Sequence, residues 1–377
     1  MKKQEKANHN KQHILNLVNK KHTTSKMNLF HLLPLLPLLT QSSSAAAPTC
    51  NDFLAKMPSL MTLHAPFTPF QNDPLRSLNA TQDNIDKLAH QASSFGVTTI
   101  FVPGSMSQFD TMNMAERKTL MTAWIEAGHK HGLYVITHVG TSVQSEAIEL
   151  ALFAVSAGAD AIGSVPSYYE TTDDVPTILD FLRPIAAAAP ELPLFYYHLP
   201  DVTHADIEVS ELFELASGDT EQKVPTLCGV KWVGNALSDW FKLTQLYNET
   251  RALLFAPEPK LASFSLGMGK GVVLAEDFYA PTYIRMRNAW LRGDLVSAAK
   301  EQAWKYSAEA VFGNYQNTPK RRVYEKFNLT QLDMGPGRLP QQCWDDDQEK
   351  LFHDLATVDF WKLTQGGGGG GVGVDGE

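Results

Sequence analysis

The chain has 377 residues, of which 44% are hydrophobic and 19% are charged, and its formal net charge at pH 7 is −9. Such a composition is typical of an ordinary globular protein, and the length admits one large domain or several average ones. The acidic balance argues against a nucleic-acid-binding surface. The folded part has no uninterrupted window of ~18 apolar residues, so the sequence predicts no membrane span there.

The two ends of the chain differ in composition from the middle. Segment 27–47 follows a polar, basic stretch and combines an apolar region with small residues at its end, as secretory signal peptides do. We place residues 1–50 outside the fold. We expect a secreted or ER-lumenal protein if segment 27–47 acts as a signal, and a cytoplasmic protein if it does not. The glycine-rich segment 366–377 predicts a flexible tail.

The three cysteines, Cys50, Cys228 and Cys343, are far apart in the sequence and form no CxxC pair. An odd number of cysteines is not a disulfide framework. We therefore expect unpaired thiols, with a disulfide between Cys50 and Cys343 as the alternative.

Predicted strands and helices alternate along the middle of the chain. The strands are short and rich in Val, Ile, Phe and Leu, as parallel strands covered on both faces should be. Eight such units favour a closed (β/α)8 TIM barrel over residues 55–300, extended by extra C-terminal helices over 301–365. No GxGxxG follows the first strand, so a dinucleotide fold has no support. The predicted strands are 60–69, 98–104, 133–140, 160–167, 192–200, 226–233, 252–257 and 271–276, and the helices between them are 84–96, 114–132, 145–159, 175–189, 208–217, 237–248 and 260–269.

Lys231 stands out because it lies in the apolar sixth strand, near its carboxyl end. Period-2 alternation places Leu227, Gly229, Lys231 and Val233 on one face, which we assign to the barrel interior, and Cys228, Val230 and Trp232 on the other. Active sites of such barrels lie at the carboxyl ends of the strands. A buried lysine there has a lowered pKa and can attack a carbonyl. The alternatives are a lysine that reaches solvent or pairs with a carboxylate.

Two further residues fall at the same end of the predicted barrel. Tyr197 ends the fifth strand, where its phenol can move protons beside the amine; the alternative is aromatic packing. Ser105 follows the second strand in a Gly-Ser turn, which offers a hydroxyl and backbone N–H groups to a carboxylate. The alternative for Ser105 is a simple turn.

These residues carry a resemblance to a known family. The stretch "FYYHLP" followed by "GVK", with "GSMSQ" and "AERKTLMTAW" upstream, resembles the class I aldolases of the N-acetylneuraminate lyase and dihydrodipicolinate synthase family. The stretches "HVG", "AAAAPELP" and "MGPGRLP" resemble the animal-type N-acetylneuraminate lyases in particular. The resemblance runs from about 58 to 342 in the expected order.

The resemblance implies a mechanism without a metal or organic cofactor. Lys231 would form a Schiff base with a 2-oxo acid, Tyr197 would be the proton shuttle, and Ser105 would lie at the carboxylate-binding relay position beside Gly104. Tyr169 matches an aromatic residue that family members often insert into the neighbouring subunit's site, with local packing as the alternative. The family is typically a homotetramer, and the expected partner is a small-molecule 2-oxo acid. The pair His129 and His131 is better explained as a helix end than as metal ligands.

The resemblance also has departures, all in the loops after the strands. Met106 replaces the second hydroxyl of the carboxylate loop, and Val233 stands where a small hydroxyl residue is frequent. The sugar-binding loops are rewritten as Ala256-Pro257-Glu258-Pro259 and Leu274-Ala275-Glu276. We expect the substrate to contact Gly104, Ser105, Met106, Val233, Ala256, Glu258 and Ala275.

Three functions are therefore compatible with the sequence. The first is cleavage of N-acetylneuraminate to pyruvate and N-acetylmannosamine. The second is a related pyruvate-dependent aldolase or dehydratase acting on another hydroxy-2-oxo acid, because changing buried polar groups changes the substrate that a site selects. The third is a catalytically silent barrel that binds sugar acids.

Overall fold

The computed structural model describes residues 50–219, 221–256, 269–313, 323, 332, 334–338 and 348–358. Segment 1–49, residues 260–268 of the helix predicted at 260–269, and residues Glu258 and Cys343 lie outside the described residues. None of the described helices combines the length and the apolar character needed to cross a bilayer.

The eight strands form one closed barrel in which every strand pairs in parallel with its neighbours along the chain, and the last strand pairs with the first. The predicted (β/α)8 barrel is thereby confirmed. The strands are shorter than predicted because the segments past their carboxyl ends leave the barrel as loops. They are β1 Met61–His64, β2 Thr99–Val102, β3 Tyr134–His138, β4 Ala161–Ser164, β5 Leu194–His198, β6 Leu227–Trp232, β7 Ala252–Phe255 and β8 Gly271–Leu274.

Helices surround the barrel, and local sequence signals set several of their ends. Asn113 and Glu116 form a capping box at the start of one helix, and the side chain of Thr81 accepts a hydrogen bond at the start of another. Gly158 ends a third helix at φ 82°, a conformation that glycine adopts without steric cost. The helices are Cys50–Lys56, Gln82–Ser94, Met114–Lys130, Gln144–Ala157, Val175–Ala188, Pro200–Thr203, Val209–Ser217, Leu237–Tyr247, Ala280–Leu291, Leu295–Gly313 and Gln348–Thr357.

Buried apolar side chains form two layers. An outer cluster lies between the strands and the helices, and an inner cluster fills the barrel. The inner cluster includes Leu63, Phe101, Ile136, Phe195 and Leu254. Because every strand is covered on both faces, only its loops and its carboxyl end offer polar groups to a ligand.

The structure contradicts both expectations for Cys50, because its sulfur lies 2.08 Å from that of Cys228 in a disulfide. The helix Cys50–Lys56 begins inside the segment that we assigned to the leader, and its Phe53 packs edge-to-face on Phe195 of the barrel interior.

The face assigned to Cys228 is also wrong, because Cys228 belongs to the inner cluster. Leu194 pairs with Leu227 and Phe195 pairs with Gly229, so Cys228 is the extra residue of a bulge in β6. A bulge of one residue shifts the alternation on one side of it. The side chain of Cys228 can therefore meet Cys50, while Lys231, beyond the bulge, keeps the interior face predicted for it.

Candidate active site

Tyr197 and Lys231 lie side by side, because they are paired residues of the adjacent strands β5 and β6. Lys231 is 3% exposed, and its Nζ lies 3.8 Å from the centre of the Tyr197 ring and 4.0 Å from that of Phe101. The two aromatic rings pack edge-to-face with their centres 5.3 Å apart. The amine therefore lies in an aromatic pocket below the mouth of the barrel.

Burial decides the ionisation of this lysine. Desolvation lowers the pKa of Lys231 to about 7 from its ordinary value of 10.5. The side chain does not reach solvent, and among the described residues it has no carboxylate partner. Because a pKa near 7 leaves about half of the amine neutral at neutral pH, a nucleophile is available without a separate base.

Ser105 joins the same group through the phenol of Tyr197. Its Oγ lies 3.3 Å from the Tyr197 oxygen, and either atom can donate the hydrogen bond. Tyr197 is itself 3% exposed. The three predicted catalytic groups Lys231, Tyr197 and Ser105 are thus contiguous, an arrangement in which a proton can pass from the phenol to the hydroxyl.

The loop after β2 lies directly against the amine. A Cβ built on Gly104 would lie 3.7 Å from the Nζ of Lys231, so the backbone of this residue lines the space beside the nucleophile. Ser105–Ser107 form a short 3-10 turn, in which the leading N–H groups have no partner within the turn. Met106 turns its side chain to the outer cluster rather than to the barrel interior. The loop can therefore offer its backbone, but not the side chain of Met106, to a carboxylate beside Lys231.

The rim predicted to contact the rest of the substrate is apolar where the structure describes it. Val233 and Ala256 are partly buried against the inner cluster. Their N–H groups donate to the carbonyls of His198 and Trp232, respectively. Ala275 is partly exposed, and the neighbouring Glu276 is 1% exposed. The predicted acid Glu258 lies outside the described residues.

The two tyrosines after β4 have different environments. Tyr169 is 84% exposed, whereas Tyr168 packs edge-to-face on Phe109 at 5.9 Å. Within one chain Tyr169 therefore takes no part in the group around Lys231, and its insertion into a neighbouring subunit stays a prediction.

His138 is a further polar residue of the barrel interior, and no role was predicted for it. This residue is fully buried on the interior face of β3, and its ring centre lies 5.8 Å from that of Tyr197. Its Nδ1 donates to the carbonyl of Pro103 at 2.9 Å, because a carbonyl can only accept. Burial, then the nearby charges of Arg117 and Lys231, hold the pKa of His138 well below its ordinary value. Its Nε2 is therefore a bare acceptor, and no described donor contacts it. The period-2 alternation of Ile136 and His138 along β3 could have placed this histidine in the barrel interior.

Each of the two described histidines at the helix end contacts a carboxylate of its own. His129 lies 2.9 Å from Asp160, and His131 lies 3.0 Å from Asp86. Across the described residues, no three His, Cys, Asp or Glu side chains are grouped so that they could hold a metal ion.

Fold and site together define a parallel eight-stranded barrel with a desolvated lysine at the carboxyl end of its sixth strand. The model of the dihydrodipicolinate synthetase family matches residues 59–356. The chain belongs to this family.

Comparison with similar proteins supports the assignment to this family. The N-acetylneuraminate lyase of Mus musculus is 29% identical over 70% of this chain and 82% of its own length, and that of Rattus norvegicus is 30% identical over 66% and 77%. Among solved structures, Proteus mirabilis N-acetylneuraminate lyase matches with a TM-score of 0.70 at 20% identity, covering 80% of this chain and 99% of its own. The dihydrodipicolinate synthase of Cyanidioschyzon merolae gives 0.69 at 21%, covering 80% and 98%. The structural matches concern the fold alone. The match of the family model confirms the family resemblance that was predicted from the sequence.

Proposed function

We propose that the protein is a class I lyase that cleaves a 2-oxo sugar acid through a Schiff base on Lys231, with N-acetylneuraminate as the substrate. The observation that carries the proposal is the desolvated amine of Lys231 beside Tyr197 and Ser105. The names of the similar proteins support the choice of substrate.

The first step is imine formation. The neutral amine of Lys231 attacks the C2 ketone, and water leaves to give an iminium. The carboxylate of the substrate would lie on the backbone of Gly104 and the turn that follows it, beside Ser105. Tyr197 and Ser105 would carry the protons that the addition and the loss of water require.

The second step is carbon–carbon cleavage. Tyr197, which has given its proton to the departing water, takes the proton of the 4-hydroxyl. The C3–C4 bond breaks, C4 leaves as the aldehyde, and the electron pair of the bond enters the iminium to give an enamine. Protonation at C3 and hydrolysis then release pyruvate and free Lys231. In this proposal the imine is the only electron sink, so the chemistry uses no metal or organic cofactor.

The apolar rim favours a second candidate function, in which the aldehyde released from the substrate carries fewer hydroxyl groups. Val233 and Ala256 offer only apolar side chains where a polyol would need hydrogen bonds. A pyruvate-dependent aldolase acting on a less hydroxylated 2-oxo acid uses the same lysine chemistry and a less polar rim.

A substrate panel separates the candidates. Pyruvate release is measured from N-acetylneuraminate and from shorter hydroxy-2-oxo acids, with Lys231→Met as the inactive control. Release from N-acetylneuraminate at the highest kcat/KM supports the first candidate, and preference for a shorter acid supports the second. Release from none of them, in a folded sample, contradicts both and leaves the silent sugar-acid-binding barrel.

We further propose an oxidising compartment for the folded protein. The disulfide between Cys50 and Cys228 supports secretion or the ER lumen, because such bonds are rare in the reducing cytosol. The signal-like composition of segment 27–47 points the same way. We propose a homotetramer on the resemblance alone, and light scattering of the purified protein tests it.

A further inference from the structure

The loop beside Lys231 is held by a segment from the other end of the chain. The side-chain amide of Gln108 donates to the carbonyl of Arg338 at 2.8 Å and accepts from the N–H of the same residue at 2.8 Å, although the two residues are 230 positions apart. Gln108 is 3% exposed and has a positive φ of 56°. A buried amide that pairs with both the N–H and the carbonyl of one residue fixes its own backbone to that residue.

The guanidinium of Arg338 makes a second set of contacts with the same region. It donates to the carbonyl of Thr111 at 2.8 Å, to that of Arg76 at 2.9 Å, and to both carboxylate oxygens of Glu116. Glu116 in turn accepts from the N–H of Asn113 in the capping box of the following helix. One side chain thus ties the end of the loop, the helix that follows it and the segment after β1.

The chain around Arg338 is seated by backbone contacts of its own. Met334 accepts from the N–H of Phe70 at 3.0 Å, and Gly335 has a φ of 60° with its Cα directly against the carbonyl of Phe70. A side chain at Gly335 would meet that carbonyl at 1.8 Å, so only glycine allows this approach. The segment Met334–Arg338 therefore has a defined position from which to hold Gln108.

The loop from Gly104 to Gln108 is therefore held at both ends. Gly104 follows β2 next to Lys231, the hydroxyl of Ser107 donates to the carbonyl of Pro66 at 2.7 Å, and Gln108 is held by Arg338. Ser105, which contacts Tyr197, lies between these anchors. Its carbonyl accepts from the N–H of Gln108 at 2.9 Å, so the position of Ser105 is tied to that of Gln108.

We propose that Gln108 and Arg338 form a clamp through which the segment Met334–Arg338 positions the carboxylate-binding loop. Both are positioning residues, because they act through the backbone of Gly104 and Ser105 and do not touch the reacting atoms. The proposal rests on the proposed function, in which this loop receives the carboxylate of the 2-oxo acid. The affinity for the 2-oxo acid is then set in part by residues at the far end of the sequence.

The chain offers a matched control for a test of the clamp. Gln91 is 2% exposed and donates from its amide to Asp277 at 3.0 Å, so Gln91→Met removes a buried glutamine as Gln108→Met does, but in another part of the barrel. Gln108→Glu keeps the shape and the acceptor but, when ionised, cannot donate to the carbonyl of Arg338. Circular dichroism shows that each variant is folded.

The binding test is a titration of pyruvate with borohydride reduction, followed by intact mass. In Gln108→Met we expect the half-saturating pyruvate concentration to rise about 5- to 50-fold, because two buried hydrogen bonds are lost. Gln108→Glu should lie between this variant and the unmodified protein. The labelled fraction at saturation and the pH midpoint of labelling should not change, since Lys231 is untouched. Gln91→Met should stay within about two-fold of the unmodified protein.

Hydrogen–deuterium exchange separates failure of the clamp from failure of the proposed function. Peptides that cover 104–111 should exchange faster in Gln108→Met than in Gln91→Met, with or without pyruvate. Equal exchange, or equal half-saturation in the two variants, overturns the clamp. If the unmodified protein is not labelled at all, the proposed function fails, and the exchange experiment alone then decides whether Gln108 holds the loop.

Discussion

Burying an ionisable lysine should destabilise the protein, and the size of this effect follows from the pKa. Lys231 has a pKa of about 7 when folded, against an ordinary value of 10.5. The folded protein therefore binds fewer protons than the unfolded chain between these two pH values, and stability rises with pH across this window. The destabilisation is absent above pH 10.5, the pKa of the lysine in the unfolded chain. It grows as the pH falls towards 7 and reaches its full size below pH 7.

Lys231→Met removes the titrating group and keeps an unbranched side chain of similar length. Linkage gives a destabilisation by the lysine of about 4 kcal/mol at pH 7 and about 2 kcal/mol at pH 9. The gap in the free energy of unfolding between the variant and the unmodified protein should therefore shrink by about 2 kcal/mol from pH 7 to pH 9. The other titrating groups are shared and cancel in this comparison, and the pKa of His138, which Lys231 helps to lower, is held low in both proteins chiefly by burial.

The assay is guanidinium denaturation of both proteins at the two pH values under conditions that keep the disulfide intact. Lys87→Met, at a half-exposed helix position 2.8 Å from the carboxylate of Asp83, is the control for the loss of a positive charge as such. A gap that is the same at pH 7 and pH 9 would refute the reasoning, because it would mean that Lys231 has an ordinary pKa in the folded protein. Equal slopes of the denaturation curves show that the two proteins expose the same surface on unfolding.

Other outcomes follow from the same structure. Tyr197→Phe removes the phenol but leaves Lys231 in place, so we expect pyruvate release to fall about 10²- to 10⁴-fold while a reducible pyruvate adduct still forms on long incubation; loss of the adduct as well would contradict the assigned role. Ser105→Ala removes the partner of that phenol, and steady-state kinetics should show a smaller loss than in Tyr197→Phe; a larger loss would reverse the two roles. The rate of adduct formation should rise with pH through about 7 and then level, because the neutral amine dominates above the pKa of Lys231; a rise that continues to pH 10 would exclude the lowered pKa. Replacing Cys50 and Cys228 together by alanine should lower the free energy of unfolding by about 2–5 kcal/mol, since the disulfide closes a long loop; calorimetry with and without reductant checks this, and a reductant effect that persists in the double variant would contradict it.

The barrel and its lysine could be predicted because each depends on local sequence. Short apolar strands alternate with helices over the whole middle of the chain, and period-2 alternation placed Lys231 and Tyr197 on the inner face. Both placements needed only the sequence of a single strand and the rule that active sites lie at the carboxyl ends of barrel strands.

Features that depend on tertiary packing could not be predicted. The bulge at Cys228 moves its side chain into the barrel, and Gly229 beside it is compatible with a bulge but does not fix which residue is the extra one. The direction of Met106 and the buried acceptor of His138 likewise depend on which neighbours the closed barrel supplies. The pairing of Gln108 with Arg338 joins residues 230 positions apart, so no local pattern could indicate it.

The central claim is that Lys231 forms an imine with a 2-oxo acid, and reductive trapping tests it most directly. The purified protein is incubated with pyruvate and sodium borohydride, and intact mass and peptide mapping locate the adduct, with Lys231→Met and a known class I aldolase in parallel. We predict one reduced pyruvate adduct per chain, on Lys231, and none in the variant. A folded sample without an adduct, or with an adduct on another lysine, would contradict the account.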